Sequence, residues 1–267
     1  MSHPYHVLAA LKLTRPKTTS LHLTPLTHRS FTHSLSLTKL PHSLSLTIFH
    51  SLTHSLTNTM VEASTIFGIS GMAVAFLLFL SPLATLLTII QHQHTKDYSQ
   101  IPYLTQLVES FCWTLWTTTL PNRLEVLITN ALGCLFMFIY VCIFIYYAQY
   151  QSYEKKKILN IQVLIAFFLM AVALTIFLAV DKPLSSTILV SSAVFYNCVK
   201  YSSPLSVAKI VISTKSVEFM PLSLTLACLL CSALWGMYGF LLSDIWILVP
   251  NVLGFFCSIA QGNQKVS

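Results

Sequence analysis

The stretch Ser203-Pro204-Leu205, a polar turn, Pro221, Ala233-Leu234-Trp235-Gly236-Met237-Tyr238-Gly239 and Pro250-Asn251-Val252-Leu253-Gly254 is the second use of a pattern that the chain has already used once. The first copy runs Ser81-Pro82-Leu83, a polar turn, Pro102, Trp113, and then Asn130 with Gly133. Order and approximate spacing agree, which marks an internal repeat. Each copy occupies three apolar runs, and one further run, Ile158 to Val180, is left between them. An odd linker restores the chain direction, so the second copy enters the bilayer the same way as the first. The two repeats are then parallel, related by a pseudo-two-fold axis along the membrane normal.

Composition supports the membrane setting. Of 267 residues, 55% are apolar and only 9% charged, which excludes an ordinary soluble domain. A spanning helix needs roughly 20 apolar residues to cross a hydrocarbon layer of about 30 Å. Seven runs qualify: Thr65 to Ile90, Ile101 to Leu120, Leu124 to Gln149, Ile158 to Val180, Ser185 to Ile212, Pro221 to Ser243 and Ile245 to Ala260. Polar breaks at Gln91 to Gln100, Glu154 to Lys157, Asp181-Lys182-Pro183 and Ser213 to Glu218 supply the turns. The predicted fold is all-α integral membrane, with seven transmembrane helices as two parallel three-helix bundles joined by a linker helix. The first repeat is assigned to 60–149, the linker to 150–183 and the second repeat to 184–267.

Residues 1–59 differ from the rest. They hold no Asp or Glu, most of the histidines, and near-repeats such as Thr32-His33-Ser34-Leu35-Ser36-Leu37. This Ser/Thr/His-rich leader is low in complexity and is excluded from the fold, as a disordered, removed or mis-annotated segment upstream of Met60; a transit peptide or a metal-binding tract are weaker readings. Lysines set the orientation: Lys96, Lys155, Lys156, Lys157, Lys209, Lys215 and Lys265 fall on one side, Arg123 and Lys182 on the other. The positive-inside rule then puts the C-terminus in the cytoplasm and Met60 outside. All seven cysteines lie in apolar spans and form no disulfide framework. The Cys228-x-x-Cys231 pair has no second pair or following histidine to complete a metal site.

The stretch Thr214-Lys215-Ser216-Val217-Glu218-Phe219-Met220-Pro221, with the Trp235 and Asn251 motifs, is similar to the plant SWEET sugar transporters. So is the first copy, in Thr65-Ile66-Phe67-Gly68, Ser81-Pro82 and Ile101-Pro102-Tyr103. The resemblance covers Met60 to Gln261. It implies a passive, bidirectional sugar uniporter with one central site and alternating access. A sugar ring has apolar C–H faces and a rim of hydroxyls, so its binder wants aromatic planes and amide edges. Trp113, Trp235, Asn130 and Asn251 supply that set, since an amide both donates and accepts. Competing readings are helix packing or interface anchoring for the tryptophans, and interhelical bonding for the asparagines. Trp116 and Trp246, near span ends, are assigned to the interfacial belt. The resemblance further makes Pro82, Pro102, Pro204 and Pro221 hinges, because proline removes a backbone bond and weakens its helix.

Two positions depart from the family. Glu109 lies one helical turn before Trp113, where relatives usually carry a small polar residue. Lys200 and Asn197 precede Pro204, where an apolar residue and a serine are more usual. A lone charge in a span costs about 2.5 to 3.5 kcal/mol on insertion scales, so both charges are expected to face the cavity and to pair with each other. Glu109, Asn197, Lys200 and Cys231 therefore join the candidate substrate-binding set. Two alternatives stand beside the uniporter: a proton-coupled carrier of another small solute using Glu109, and a non-transporting member that modulates a full-length relative. The last run, at about 16 residues, would rise only some 24 Å and favours the latter. No catalytic triad, phosphate loop, cofactor motif or nucleic-acid signature is present. The expected partners are a sugar substrate, the bilayer (plasma membrane) and further family members in a homo- or hetero-oligomer.

Overall fold

The computed structural model describes residues 42–95, 98–149, 151–214 and 222–266, with side chains described over 50–95, 98–149, 151–200 and 223–262. The chain divides into two units, Met1–Ile48 and Phe49–Ser267, and the fold concerns the second. Residues 1–41 of the leader lie outside the described residues.

The first helix begins well before Met60: α1 runs His42–Leu80. Its upstream part is rich in Ser and Thr, which usually compete with a helix by bonding to nearby backbone. Here that bonding runs along the helix. Thr53 Oγ1 donates to the His50 carbonyl at 2.9 Å, Thr57 to Thr53 at 2.8 Å and Thr59 to Ser55 at 3.0 Å. Residues 50–59, upstream of Met60, are therefore helical within α1.

At Ser81-Pro82 the helix breaks, because proline has no N–H to give and its ring meets the preceding turn. Ser81 closes the end by donating both its N–H (3.1 Å) and its hydroxyl (2.8 Å) to Leu78 O. The span resumes as α2, Leu83–His92, with Pro82 at its N-cap, and stops at Gln93 in the left-handed conformation, φ 53°. Helix α3, Ile101–Thr117, starts with Pro102 in its first turn, where a missing N–H is no loss. Then come α4 (Leu124–Ala148), α5 (Tyr153–Ala179), α6 (Lys182–Thr214), α7 (Leu222–Leu241) and α8 (Ile245–Val266). The polar break foreseen at Glu154 to Lys157 is instead the first turns of α5, where Glu154 suits the positive end of the helix dipole.

Helices α1–α4 form the first bundle and α6–α8 the second, with α5 between them. Within the first, α4 packs on α3 and α2, and Tyr140 donates to the Phe79 carbonyl at 2.8 Å. Within the second, α8 packs on α7 and α6. The linker α5 lies against α3, α4 and α6, with Gln100 donating to Gln162. The two repeats meet where α3 packs on α6. Among the described residues, five segments are long and apolar enough to cross a membrane: His50–His92, Leu124–Ala148, Tyr153–Ala179, Ser223–Leu241 and Ile245–Gly262. Helix α8 has 22 residues, about 33 Å at 1.5 Å per residue. The short last span foreseen from hydropathy is thus not a short helix: Gln261 and the polar residues after it extend it.

Candidate functional site

Trp113 on α3 and Trp235 on α7 are 5% and 8% exposed and belong to one buried apolar cluster. Each is set edge-on to an aromatic one turn later: Trp113 to Trp116 at 5.2 Å and Trp235 to Tyr238 at 5.3 Å between centroids. Trp116 is therefore a core residue at 3% exposure, not the interfacial anchor assigned to it. Trp246 is 38% exposed. The first helix closes on Trp235 from the other side. A Cβ added at Gly71 would lie 3.0 Å from the Trp235 indole, so glycine there lets α1 reach the ring.

Asn130 and Asn251 hold equivalent places on α4 and α8. Each turns its amide nitrogen back onto its own helix, Asn130 Nδ2 to Val126 O at 2.9 Å and Asn251 Nδ2 to Ile247 O at 2.7 Å. Both side chains are half-buried. The same geometry in both copies follows from the same local sequence position in the repeat.

Glu109 sits in the middle of α3, on one face with Gln106, Ser110 and Trp113 by the three-and-four spacing of a helix. Its carboxylate Oε2 lies 2.6 Å from Lys200 Nζ on α6, an ion pair that joins the two repeats. The approach is close but off the line of a hydrogen bond. The pair is lopsided: the Glu109 side chain is 3% exposed and that of Lys200 32%. Lys200 also donates to Gln106 Oε1 at 2.9 Å, and Gln106 Nε2 donates to Ser110 Oγ at 3.0 Å. Asn197, one turn before Lys200, has a buried Oδ1 with no partner among the described residues. Cys231 is half-buried against the tryptophan cluster.

A second ion pair joins the repeats at the ends of the helices. Arg123 Nη2 meets Asp244 Oδ2 at 3.3 Å, with the side chains 18% and 8% exposed. The two residues are counterparts in the repeat, each seven positions before its asparagine. Both follow a turn residue in the left-handed conformation, Asn122 (φ 56°) and Ser243 (φ 53°). Asp244 Oδ1 also accepts the N–H groups of Trp246 (3.1 Å) and Ile247 (3.4 Å), capping α8. Beside this pair, Tyr238 donates to Glu125 at 3.3 Å.

Of the candidate hinges, Pro82 marks the break between α1 and α2, and Pro102 opens α3. Pro204 lies within the helical backbone of α6, with its side chain outside the described residues, and Pro221 falls outside them altogether. Sequence reasoning passed over Pro250, which is fully buried inside α8 next to Asn251. A proline inside an apolar run was the available signal. Gln106 was also passed over, since nothing in its spacing shows that a lysine from the other repeat reaches it. Among the described residues, no three His, Cys, Asp or Glu are grouped to hold a metal.

The family of sugar efflux transporters for intercellular exchange matches the chain twice, over residues 65–152 and 187–262. Bidirectional sugar transporter SWEET16 of Arabidopsis thaliana is 35% identical over 202 residues, 76% of this chain and 88% of the relative. SWEET17 of the same plant is 33% identical, over 76% and 84%, and bidirectional sugar transporter N3 of Medicago truncatula is 32% identical, over 73% and 72%. The solved structure of a eukaryotic SWEET transporter superposes with a TM-score of 0.71 at 29% identity, covering 78% of this chain and 97% of that one. With the family's model matched on both repeats and its three-one-three helix arrangement present, the chain belongs to the SWEET family of membrane transporters.

Proposed function

We propose that the protein carries sugars passively and in both directions, by alternating access to a single site between the repeats. The relatives are bidirectional sugar transporters by name, and the recurrence of a buried tryptophan and a helix-bonded asparagine at equivalent positions of both repeats, Trp113 and Asn130 then Trp235 and Asn251, is the observation that supports the reading. Each asparagine has committed one N–H to its own helix, so its amide oxygen and its second N–H are what it has to offer to a ligand. Two such amides and two indole faces, at equivalent positions of parallel repeats, suit a ring with hydroxyl edges and apolar faces. The surrounding low-dielectric interior strengthens such bonds. Glu109, Asn197, Lys200 and Cys231 add the remaining lining.

Alternating access asks the bundles to rock against each other. Pro82, Pro102, Pro204 and Pro221 are the proposed hinges; the break at Pro82 and the prolines inside α6 and α8, Pro204 and Pro250, support that motion, while the Arg123–Asp244 bridge ties the helix ends together. The lysine distribution supports a cytoplasmic C-terminus, and the plasma membrane is the proposed location, in homo- or hetero-oligomers with family members. The test is uptake of labelled glucose and sucrose into yeast lacking its own sugar carriers, at a verified membrane level of the full chain. Uptake that is lost in Asn251→Ala supports the site; uptake unchanged in that variant sinks it.

A further inference from the structure

We propose that Gln106 is a positioning residue of the transport site, holding the Lys200 ammonium so that its remaining N–H faces the ligand beside the Asn197 amide oxygen. Gly133 brings α4 so close to α3 that an added Cβ would lie 2.7 Å from Ser110 Oγ, and Ser110 is fully buried. The hydroxyl is packed against the α4 backbone. Ser110 Oγ accepts from Gln106 Nε2 at 3.0 Å; a hydroxyl could serve either end of the amide, so it is the lysine at the other end that orients it. An ammonium can only donate, so the atom that faces Lys200 must be the amide oxygen, and it lies at 2.9 Å.

Lys200 has three N–H donors. One goes to Gln106, one toward Glu109 at 2.6 Å, and the side chain keeps 32% of its surface exposed. The third donor is what that exposed part presents. One helical turn earlier on α6, the Asn197 Oδ1 is buried with no partner among the described residues. A buried acceptor without a donor is costly unless something supplies one. A donor and an acceptor on one helix face, both without a further partner among the described residues, ask for a group that both accepts and donates, which is what a hydroxyl does. Glu109 cancels the lysine's charge, so the ligand at this point is neutral. Without Gln106 the flexible four-carbon stem keeps only Glu109 as a restraint, and the third donor loses its direction.

The identity of the ligand rests on the sugar-transport reading; the placement of the ammonium does not, and two readouts separate them. In the purified full chain, acylation of Lys200 by an amine-reactive acetylating reagent is followed by mass spectrometry, without sugar. Gln106→Met, which cannot accept, is expected to label at least about three-fold faster than the unmodified chain, because one charge-assisted bond is gone. Equal labelling rates overturn the proposal. In the yeast assay, Gln106→Met is expected to raise KM for sugar about ten-fold with the maximal rate held within about two-fold, the size of one hydrogen bond to a charged group. The same substitution made on top of Glu109→Gln with Lys200→Met is expected to leave KM unchanged. A KM effect of equal size in both backgrounds, or a fall in maximal rate alone, overturns the positioning role. Faster labelling in a chain that carries neither sugar would keep the ammonium's placement and sink the sugar reading.

Discussion

Removing either half of the central ion pair should destabilise the protein unequally, and the burial of the two partners sets the order. Lys200→Met strands the Glu109 carboxylate, which is 3% exposed and has no other close cation among the described residues. Breaking a buried pair in this way costs about 3 to 5 kcal/mol. Glu109→Gln strands the ammonium instead, but Lys200 is 32% exposed and keeps Gln106 at 2.9 Å. Water and the remaining acceptor hold that loss to about 1 to 2 kcal/mol. Glu109→Gln with Lys200→Met leaves no charge at this contact, and replacing a buried pair by neutral side chains of similar volume is close to neutral, within about 1 kcal/mol. The assay is unfolding of the purified protein in mixed micelles by rising denaturing detergent, followed by tryptophan fluorescence. The double variant should recover most of what Lys200→Met loses. Equal losses in the two single variants, or a double variant as weak as their sum, would refute the placement of the pair.

At the helix ends, Asp244→Ala removes both the α8 cap and the partner of Arg123, whereas Asp244→Asn keeps an acceptor for the cap. The alanine variant should lose about 1 kcal/mol more than the asparagine variant in the same unfolding assay; equal losses would mean the cap contributes nothing. Gly133→Ala drives a methyl to 2.7 Å from Ser110 Oγ and 3.0 Å from Phe79, an overpacking cost of about 1 to 3 kcal/mol. Gly236→Ala meets nothing closer than Asn251 Cβ at 3.8 Å, so it should stabilise α7 by about 0.5 to 1 kcal/mol. A Gly133→Ala protein as stable as Gly236→Ala would contradict the close approach of α3 and α4. Gly71→Ala pushes on the rigid Trp235 indole at 3.0 Å and should slow sugar uptake while leaving the membrane level intact, measured in the yeast assay.

The spans and their three-one-three order are legible in the sequence because lipid forces each crossing to be apolar and helical, and the repeat supplies the symmetry. What escaped the reading depends on contacts between distant residues. Trp116 near a span end reads as an interfacial anchor, but its neighbour Trp113 draws it into the core, and only tertiary packing decides between them. The upstream part of α1 has the composition of a coil, yet its hydroxyls bond back along the helix, a geometry that composition does not reveal. Helix α8 outlasts its apolar run because backbone bonding continues through Gln261 into polar sequence. That Glu109 and Lys200 should pair follows from the cost of lone charges in a span. That Gln106 receives the lysine could not be foreseen, since an isolated glutamine on a helix face has no spacing that distinguishes it.

Passive two-way transport is tested by counterflow in proteoliposomes made from the purified full chain. Vesicles preloaded with unlabelled glucose are diluted into a trace of labelled glucose, with no ion or proton gradient across the membrane. A passive two-way carrier exchanges one molecule for the other, so the label should rise inside above its outside concentration and then decay, and Asn251→Ala should abolish the rise. No transient accumulation in protein-containing vesicles, or accumulation only when a proton gradient is imposed, would contradict it.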